Sequence, residues 1–289
     1  MEVRELLREL DLRPQRHLGQ NFLVDRRVLD RLLATAEVSV DDTVLEIGAG
    51  LGILTQALAE RARHVVAVEI DQQLAAMLRE RLGAVPQVSV VEGDILNLDI
   101  NSLLEGHQGP VGLSYKVVAN IPYYITSAVL RRLLENPVRP ALIVLMVQKE
   151  VAQRIVARPG QMSLLALSVQ FYGKPRLVAS VSARSFYPAP KVDSAIIRID
   201  PHDELPLAEQ DISPFFDLLR AGFAQRRKQL RNALSHGLGI SAELIGEVIE
   251  GAGIDGRRRA QTLSVSEWLS LYRALGRVSS GARGDGEHR

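Results

Sequence analysis

Val117 to Tyr124, VVANIPYY, is the stretch whose residue types most plainly offer chemistry. A hydrophobic run stops at the polar Asn120, Pro122 follows, and two tyrosines come next. An asparagine side-chain oxygen and the Ile121 carbonyl are hydrogen-bond acceptors. Pro122 donates no hydrogen bond and stiffens the loop. Tyr123 presents a flat face on which a ring can stack. Such an ending can merely turn the chain, and it can also hold a flat, polar substrate.

A second stretch bears on that choice. Val44–Gly52, VLEIGAGLG, reads as a strand, a glycine-rich turn and the start of a helix. Gly48 and Gly50 permit a close approach of backbone to ligand. The spacing is G-x-G-x-G with Glu46 just upstream, not the G-x-G-x-x-G of a dinucleotide site. Glu69 ends the next strand about twenty residues on, the placement of an acid that binds ribose hydroxyls. Asp94, in VVEGDIL, lies just past the third strand, where a carboxylate accepts from an adenine amine. In open α/β sheets such groups converge beyond the carboxyl ends of the strands. Singly, each acid also reads as a helix cap or a solvated turn. Together they describe an adenosine pocket. A dehydrogenase is the rival; the glycine spacing and the lack of a second nucleotide-binding half stand against it.

The elements that must position these residues alternate. Residues 1–36 read as short helical stretches around the loop RPQRHLGQNFLVD. Strands are expected at Val44–Ile47, Val65–Glu69, Val88–Glu92, Val117–Asn120, Ala141–Val147, Arg176–Val181 and Ala195–Ile199, with helices between most of them. This predicts an α/β fold with a mostly parallel sheet covered on both faces. PHDELPLAEQD, after Asp200, reads as a linker. Ile212–Leu275 reads as helices only, broken at Gly237, Gly239, Gly251 and Gly253. The expected organisation is an α/β domain over 1–203, a small all-helical domain over 204–276, and a disordered tail over 277–289.

Composition excludes several chemistries. The 289 residues contain no cysteine, so there is no thiolate nucleophile, cysteine zinc site or disulfide. The six histidines are scattered, and no metal site is expected. The chain is 46% hydrophobic, but no apolar run approaches the ~18 residues that span a bilayer. MEVRELLREL lacks the apolar core of a signal peptide, so the expected location is the cytoplasm. A net charge of +1 places any nucleic-acid contact in local patches rather than in the total.

The pattern E-x-G-x-G-x-G, then an acid, then Gly-Asp resembles the class I S-adenosylmethionine-dependent methyltransferases. That resemblance implies a Rossmann-like, mostly parallel seven-stranded sheet. Asn120-Ile-Pro-Tyr123 resembles the (Asp/Asn/Ser)-Pro-Pro-(Tyr/Phe) motif of enzymes that methylate exocyclic amines. An adenine amine is a poor nucleophile because its lone pair is delocalised into the ring. Acceptors beside it favour a pyramidal nitrogen whose lone pair points at the methyl group. QRHLGQNFL (Gln15–Leu23) and SFYPAPKVDSAI (Ser185–Ile196), with Asn-Ile-Pro-Tyr, closely resemble the ribosomal RNA adenine dimethyltransferase family. The resemblance covers roughly Arg13 to Leu275. It implies cofactor contacts at Asn21, Leu23, Glu46, Gly48, Gly50, Glu69, Asp94 and Asn120. It implies a catalytic end of Asn120, Ile121, Pro122 and Tyr123, with Tyr123 and Phe186 sandwiching the target adenine.

Arg226, Arg227, Lys228 and Arg231 crowd about two turns of the helical part, and Arg257, Arg258 and Arg259 follow. Such clusters read as phosphate contacts or as a solvated face. Within the family, SFYPAPKVDSA and GFAQRRKQLRNAL look most like the KsgA branch. That branch acts on two adjacent adenosines in the 3′-terminal hairpin loop of 16S ribosomal RNA, in a nearly assembled 30S subunit. Erm enzymes act on the large-subunit RNA instead, and other relatives bind nucleic acid with catalysis reduced. A monomer is expected, since no apolar stripe is left over.

Overall fold

The computed structural model describes residues 3–9, 13–107, 114–225 and 227–284. The first helix, α1 (Val3–Glu9), precedes a loop and the two-residue strand β1 (Phe22–Leu23). Then come α2 (Arg26–Ala36), β2 (Thr43–Ile47), α3 (Ile53–Ala59), β3 (His64–Glu69), α4 (Gln72–Leu82), β4 (Val88–Glu92), α5 (Ile100–Leu104) and β5 (Tyr115–Asn120). The chain continues through α6 (Thr126–Leu134), β6 (Leu142–Gln148), α7 (Lys149–Ile155), α8 (Leu164–Tyr172), β7 (Gly173–Val181), β8 (Phe186–Tyr187) and β9 (Ser194–Pro201). Four helices close it: α9 (Glu209–Phe223), α10 (Leu230–Leu238), α11 (Ala242–Gly251) and α12 (Val265–Gly284).

Seven strands form one sheet in the order β4-β3-β2-β5-β6-β9-β7. All neighbours pair in parallel except β9, which is antiparallel to both β6 and β7. The sequence explains this arrangement. TVLEI and LIVLMV are buried at every position, because strands inside such a sheet are covered on both faces, and all but Thr43 and Glu46 of these residues are apolar. Asp25, Asp71 and Asp99 each start a helix by accepting from backbone N–H groups of its first turn. After β2 the chain builds outward through β3 and β4, then returns to lay β5 on the other side of β2. That reversal opens a crevice at the carboxyl ends of β2 and β5.

The chain divides into two compact units, Met1–Gln153 with Gly173–Pro201, and Arg154–Tyr172 with His202–Arg289. The sequence expectation of one unbroken domain over 1–203 is thereby corrected. Arg154–Tyr172 belongs with the helical unit because Phe171 stacks on Phe215, with ring centroids 5.2 Å apart, and because Gly160 and Met162 N–H groups donate to the Gln261 carbonyl. Two further corrections concern that unit. Gly237 is not a break but lies inside α10, where an added Cβ would stand 2.7 Å from the Ala221 Cβ of α9. It lets two helices approach closely. The expected tail is helical over 277–284, and its last residues lie outside the described ones, as does Arg226. Among the described residues no helix is long and apolar enough to cross a membrane.

Candidate active site

One cavity occupies the crevice. It is lined by Asn21, Leu23, Glu46, Gly48, Gly50, Glu69, Asp94, Asn120, Ile121, Pro122 and Tyr123, among others. Residues up to about one hundred positions apart in the chain thus share a single wall.

The glycine turn has positive φ at Gly48 (74°), Gly50 (57°) and Gly52 (77°), a conformation that side-chain-bearing residues rarely adopt. Glu69 pins this turn from the next strand. Its Oε2 accepts from the Gly50 N–H at 2.8 Å, and its Oε1 accepts from the Asp71 N–H at 2.9 Å. Burial pushes the Glu69 carboxyl up, and those backbone N–H groups pull it back. Glu46 is 1% exposed, and its Oε2 has no hydrogen-bond partner among the described residues. Burial, reinforced by the nearby Glu69 charge and opposed by the Thr55 hydroxyl, pushes Glu46 up to about 8. At neutral pH the cavity therefore carries a protonated, under-bonded acid beside a second buried carboxyl.

The reactive end is oriented by a contact across the cavity. Asn120 Nδ2 donates to the Asn21 carbonyl at 3.1 Å, which leaves Oδ1 as the acceptor. Asn21 is itself held by donating to the Gly19 carbonyl at 2.9 Å. The Tyr123 hydroxyl shares a 2.5 Å hydrogen bond with the buried Ser194 hydroxyl, and burial pushes the phenol up. Its ring is therefore fixed at the acceptor end. Asp94 shapes the following turn, its Oδ1 accepting from Leu96 N–H and its Oδ2 from the Asn97 amide.

Phe186 is placed differently from the sequence expectation. It does not line the cavity; it is 3% exposed and packs in a core cluster with Leu23, Leu32 and Val181. The pairing Leu23↔Phe186 between β1 and β8 draws the ring into the core. In this structure Tyr123, without Phe186, supplies an aromatic wall to the cavity.

Sequence reasoning missed a clasp. Asp71 Oδ2 accepts from both Gln15 Nε2 (2.7 Å) and Gln20 Nε2 (2.8 Å), tying the N-terminal loop to the start of α4. Asp71 shows in sequence only as a helix cap. Glutamines more than fifty residues away leave no local signal. Tyr124 was passed over as well; it is 62% exposed and lines the cavity.

In the helical unit the two arginine clusters meet. Leu230 N–H donates to the Arg258 carbonyl at 2.7 Å and Arg231 N–H to the Gly256 carbonyl at 3.3 Å. Arg227, Lys228, Arg231, Arg257 and Arg259 are exposed. Arg258 differs from the expectation of a phosphate contact: it pairs with Glu267 and donates to the Thr262 carbonyl, so it ties the loop to α12. No group of three metal-ligating side chains occurs among the described residues.

The sheet order and the glycine turn define a nucleoside-binding transferase fold. The end of β5 adds acceptors and a stacking face suited to an aromatic amine. Comparison with known proteins sharpens this. The family model described as ribosomal RNA adenine dimethylase matches residues 12–275. The ribosomal RNA small subunit methyltransferase A of Dehalococcoides mccartyi is 47% identical over 271 residues, covering 93% of this chain and 91% of that protein. The crystal structure of a dimethyladenosine transferase from Plasmodium falciparum superposes with a TM-score of 0.75 at 26% identity, covering 89% of this chain and 98% of that one. The crystal structure of the 23S rRNA methyltransferase ErmE gives 0.69 at 31% identity, covering 89% and 100%. The chain belongs to the ribosomal RNA adenine dimethylase family. It is an S-adenosylmethionine-dependent methyltransferase.

Proposed function

We propose that the chain transfers two methyl groups to the exocyclic amine of each of two adjacent adenosines in the 3′-terminal hairpin loop of 16S ribosomal RNA. The substrate is a nearly assembled 30S subunit in the cytoplasm. The single observation that carries the chemistry is the Asn120 Nδ2 bond to the Asn21 carbonyl. With Nδ2 so engaged, Asn120 Oδ1 is left as an acceptor for an amine, which supports the reading. The high identity to small-subunit methyltransferases favours that RNA over the large-subunit one.

The residues fit the cofactor on a structural ground. Glu46 Oε2, buried and without a hydrogen-bond partner among the described residues, lines the cavity beside the Glu69 carboxyl and leaves a polar group for a bound ligand to satisfy. Glu69 and Asp94 would hold the ribose and the adenine amine, and the Gly48–Gly52 turn lets the backbone approach. When bound, S-adenosylmethionine supplies an electrophilic methyl group on a sulfonium. The chain's own residues position the acceptor. The target base leaves its stack and lies against Tyr123, a contact worth about 1–3 kcal/mol. Asn120 Oδ1 and the Ile121 carbonyl accept from the amine, which aims its lone pair away from them. Catalysis is then mainly orientation, with no strongly shifted general base. The exposed arginines of the helical unit contact phosphates and set position, not sequence.

The test is methyl transfer from labelled S-adenosylmethionine to under-methylated small subunits, with large subunits in parallel, followed by nucleoside mass spectrometry. Dimethyladenosine in the small subunit alone is expected. Dimethyladenosine in the large subunit alone, or no label in either, overturns the reading.

A further inference from the structure

We propose that the methyltransferase unit carries its own phosphate-binding surface, formed by Arg26, Arg27, Arg184 and Lys191, which grips the RNA strand beside the extruded adenosine. The inference rests on the function proposed above.

These four residues are up to 165 positions apart, and no sequence cluster announces them. Three hydrogen bonds gather them. Val24 N–H donates to the Ser185 carbonyl at 2.9 Å, and the Ser185 hydroxyl donates to Asp25 Oδ2 at 3.0 Å. Together they set the first turn of α2, with Arg26 and Arg27, against Arg184. Ala183 N–H then donates to Asp193 Oδ1 at 3.0 Å, bringing the Lys191 turn to the same place. All four cations are exposed, and none takes part in an ion pair among the described residues. This contrasts with Arg61 and Arg79 elsewhere on the unit, which pair with Glu60 and Glu92. The acids closest in the chain are already engaged. Asp25 caps α2 and holds Ser185, and Asp193 holds Ala183. Asp30, a turn further along α2, is the exposed carboxylate that remains.

The patch adjoins the reactive end on two sides. Its first limb continues from Asn21 and Leu23, which line the cavity, and the Asn21 carbonyl holds Asn120. Its second limb continues into Ser194, which holds the Tyr123 hydroxyl. Val24 and Val192, each 46% exposed, add apolar surface between the charges. A nucleotide whose base reaches Tyr123 must lay its neighbouring phosphates across whatever surrounds that tyrosine. Unpaired guanidinium groups there make charge-assisted, bidentate phosphate contacts. Held phosphates keep the unstacked nucleotide from sliding back.

The experiment compares Arg26→Glu/Arg27→Glu and Arg184→Ala/Lys191→Ala with the ion-paired control Arg61→Glu/Arg79→Glu, on under-methylated small subunits across a salt series. Glutamates in the first turn of α2 are favoured by the helix dipole, so folding is not threatened. Should that variant nonetheless lose its cooperative melt, the alanine pair decides alone. Each patch pair is expected to raise KM for the subunit about tenfold and to flatten the plot of log kcat/KM against log salt by about 0.7 for every phosphate the variant no longer grips. Cofactor affinity by calorimetry and the melting temperature stay at their original values. The control pair leaves KM and slope in place. Patch variants that fold, bind cofactor and keep the original KM and slope overturn the proposal, as does a control that shifts equally. An original chain that labels no small subunit refutes the function itself, and the two failures are thereby distinguished.

Discussion

Replacing Glu46 by Gln should remove a steep pH dependence from the stability of the methyltransferase unit. In the native state the Glu46 carboxyl holds its proton to about pH 8, against 4.5 ordinarily. Between those limits the folded chain binds more protons than the unfolded one, so stability falls as pH rises. The contribution is fully present below about 4.5 and is lost through about 8. At about 1.4 kcal/mol per pH unit, the full span is worth at most about 5 kcal/mol. Glutamine keeps the shape of the protonated acid and does not titrate. From pH 5.5 to 7.5 the native chain should therefore lose about 3 kcal/mol relative to Glu46→Gln. The nearby Glu69 charge adds to the effect of burial in raising Glu46, so the measured difference includes that repulsion as well as desolvation. The assay is urea unfolding without cofactor at pH 5.5, 6.5 and 7.5, followed by circular dichroism. Fluorescence is unsuitable, because the single tryptophan, Trp268, lies in the helical unit. A stability difference that stays constant across these pH values refutes the reasoning, since it leaves Glu46 equally ionised in both states.

Asn120→Ala removes the oriented acceptor and should lower kcat by about 100- to 1000-fold, the usual loss for one preorganised polar contact. Single-turnover kinetics with calorimetric cofactor affinity checks this; unchanged turnover denies Asn120 its role. Asp71→Asn keeps a helix cap but loses the charge that holds Gln15 and Gln20. Cofactor affinity should weaken about three- to tenfold, in keeping with the weaker hydrogen bonds of an uncharged acceptor, and proteases should cut the N-terminal loop faster. Unaltered affinity and cleavage together would show the clasp to be idle. Gly222→Ala drives a Cβ into the Trp268 ring. Unfolding of the helical unit, read by tryptophan fluorescence, should show a loss of about 1–3 kcal/mol; no loss would mean that the helices simply part.

Much of the site was legible because its signals are local. Glu46, the three turn glycines, Glu69, Asp94 and the Asn120–Tyr123 end are each written within one strand and its following turn. Fully buried parallel strands read as continuous apolar runs, so the central strands could be placed from their residue types alone. The helical unit was legible as helices but not in its extent. Arg154–Tyr172 looks in sequence like one more crossover of the sheet, and only the packing of Phe171 assigns it elsewhere.

The sequence by itself determined where the strands end, which turns bend through positive φ, and which polar groups sit at those ends. Backbone conformation is set within a few residues, and that information is carried in line. Only the tertiary structure decided which of those groups meet and in what state. Asn120 finds the Asn21 carbonyl across 99 positions, and Tyr123 finds Ser194 across 71. Phe186 turns into the core and Arg258 turns to Glu267. Glu46 becomes a neutral acid through burial that none of its sequence neighbours imposes. Each of these depends on surfaces that exist only once the sheet has closed, because hydrogen bonding and desolvation act between neighbours in space whatever their distance along the chain.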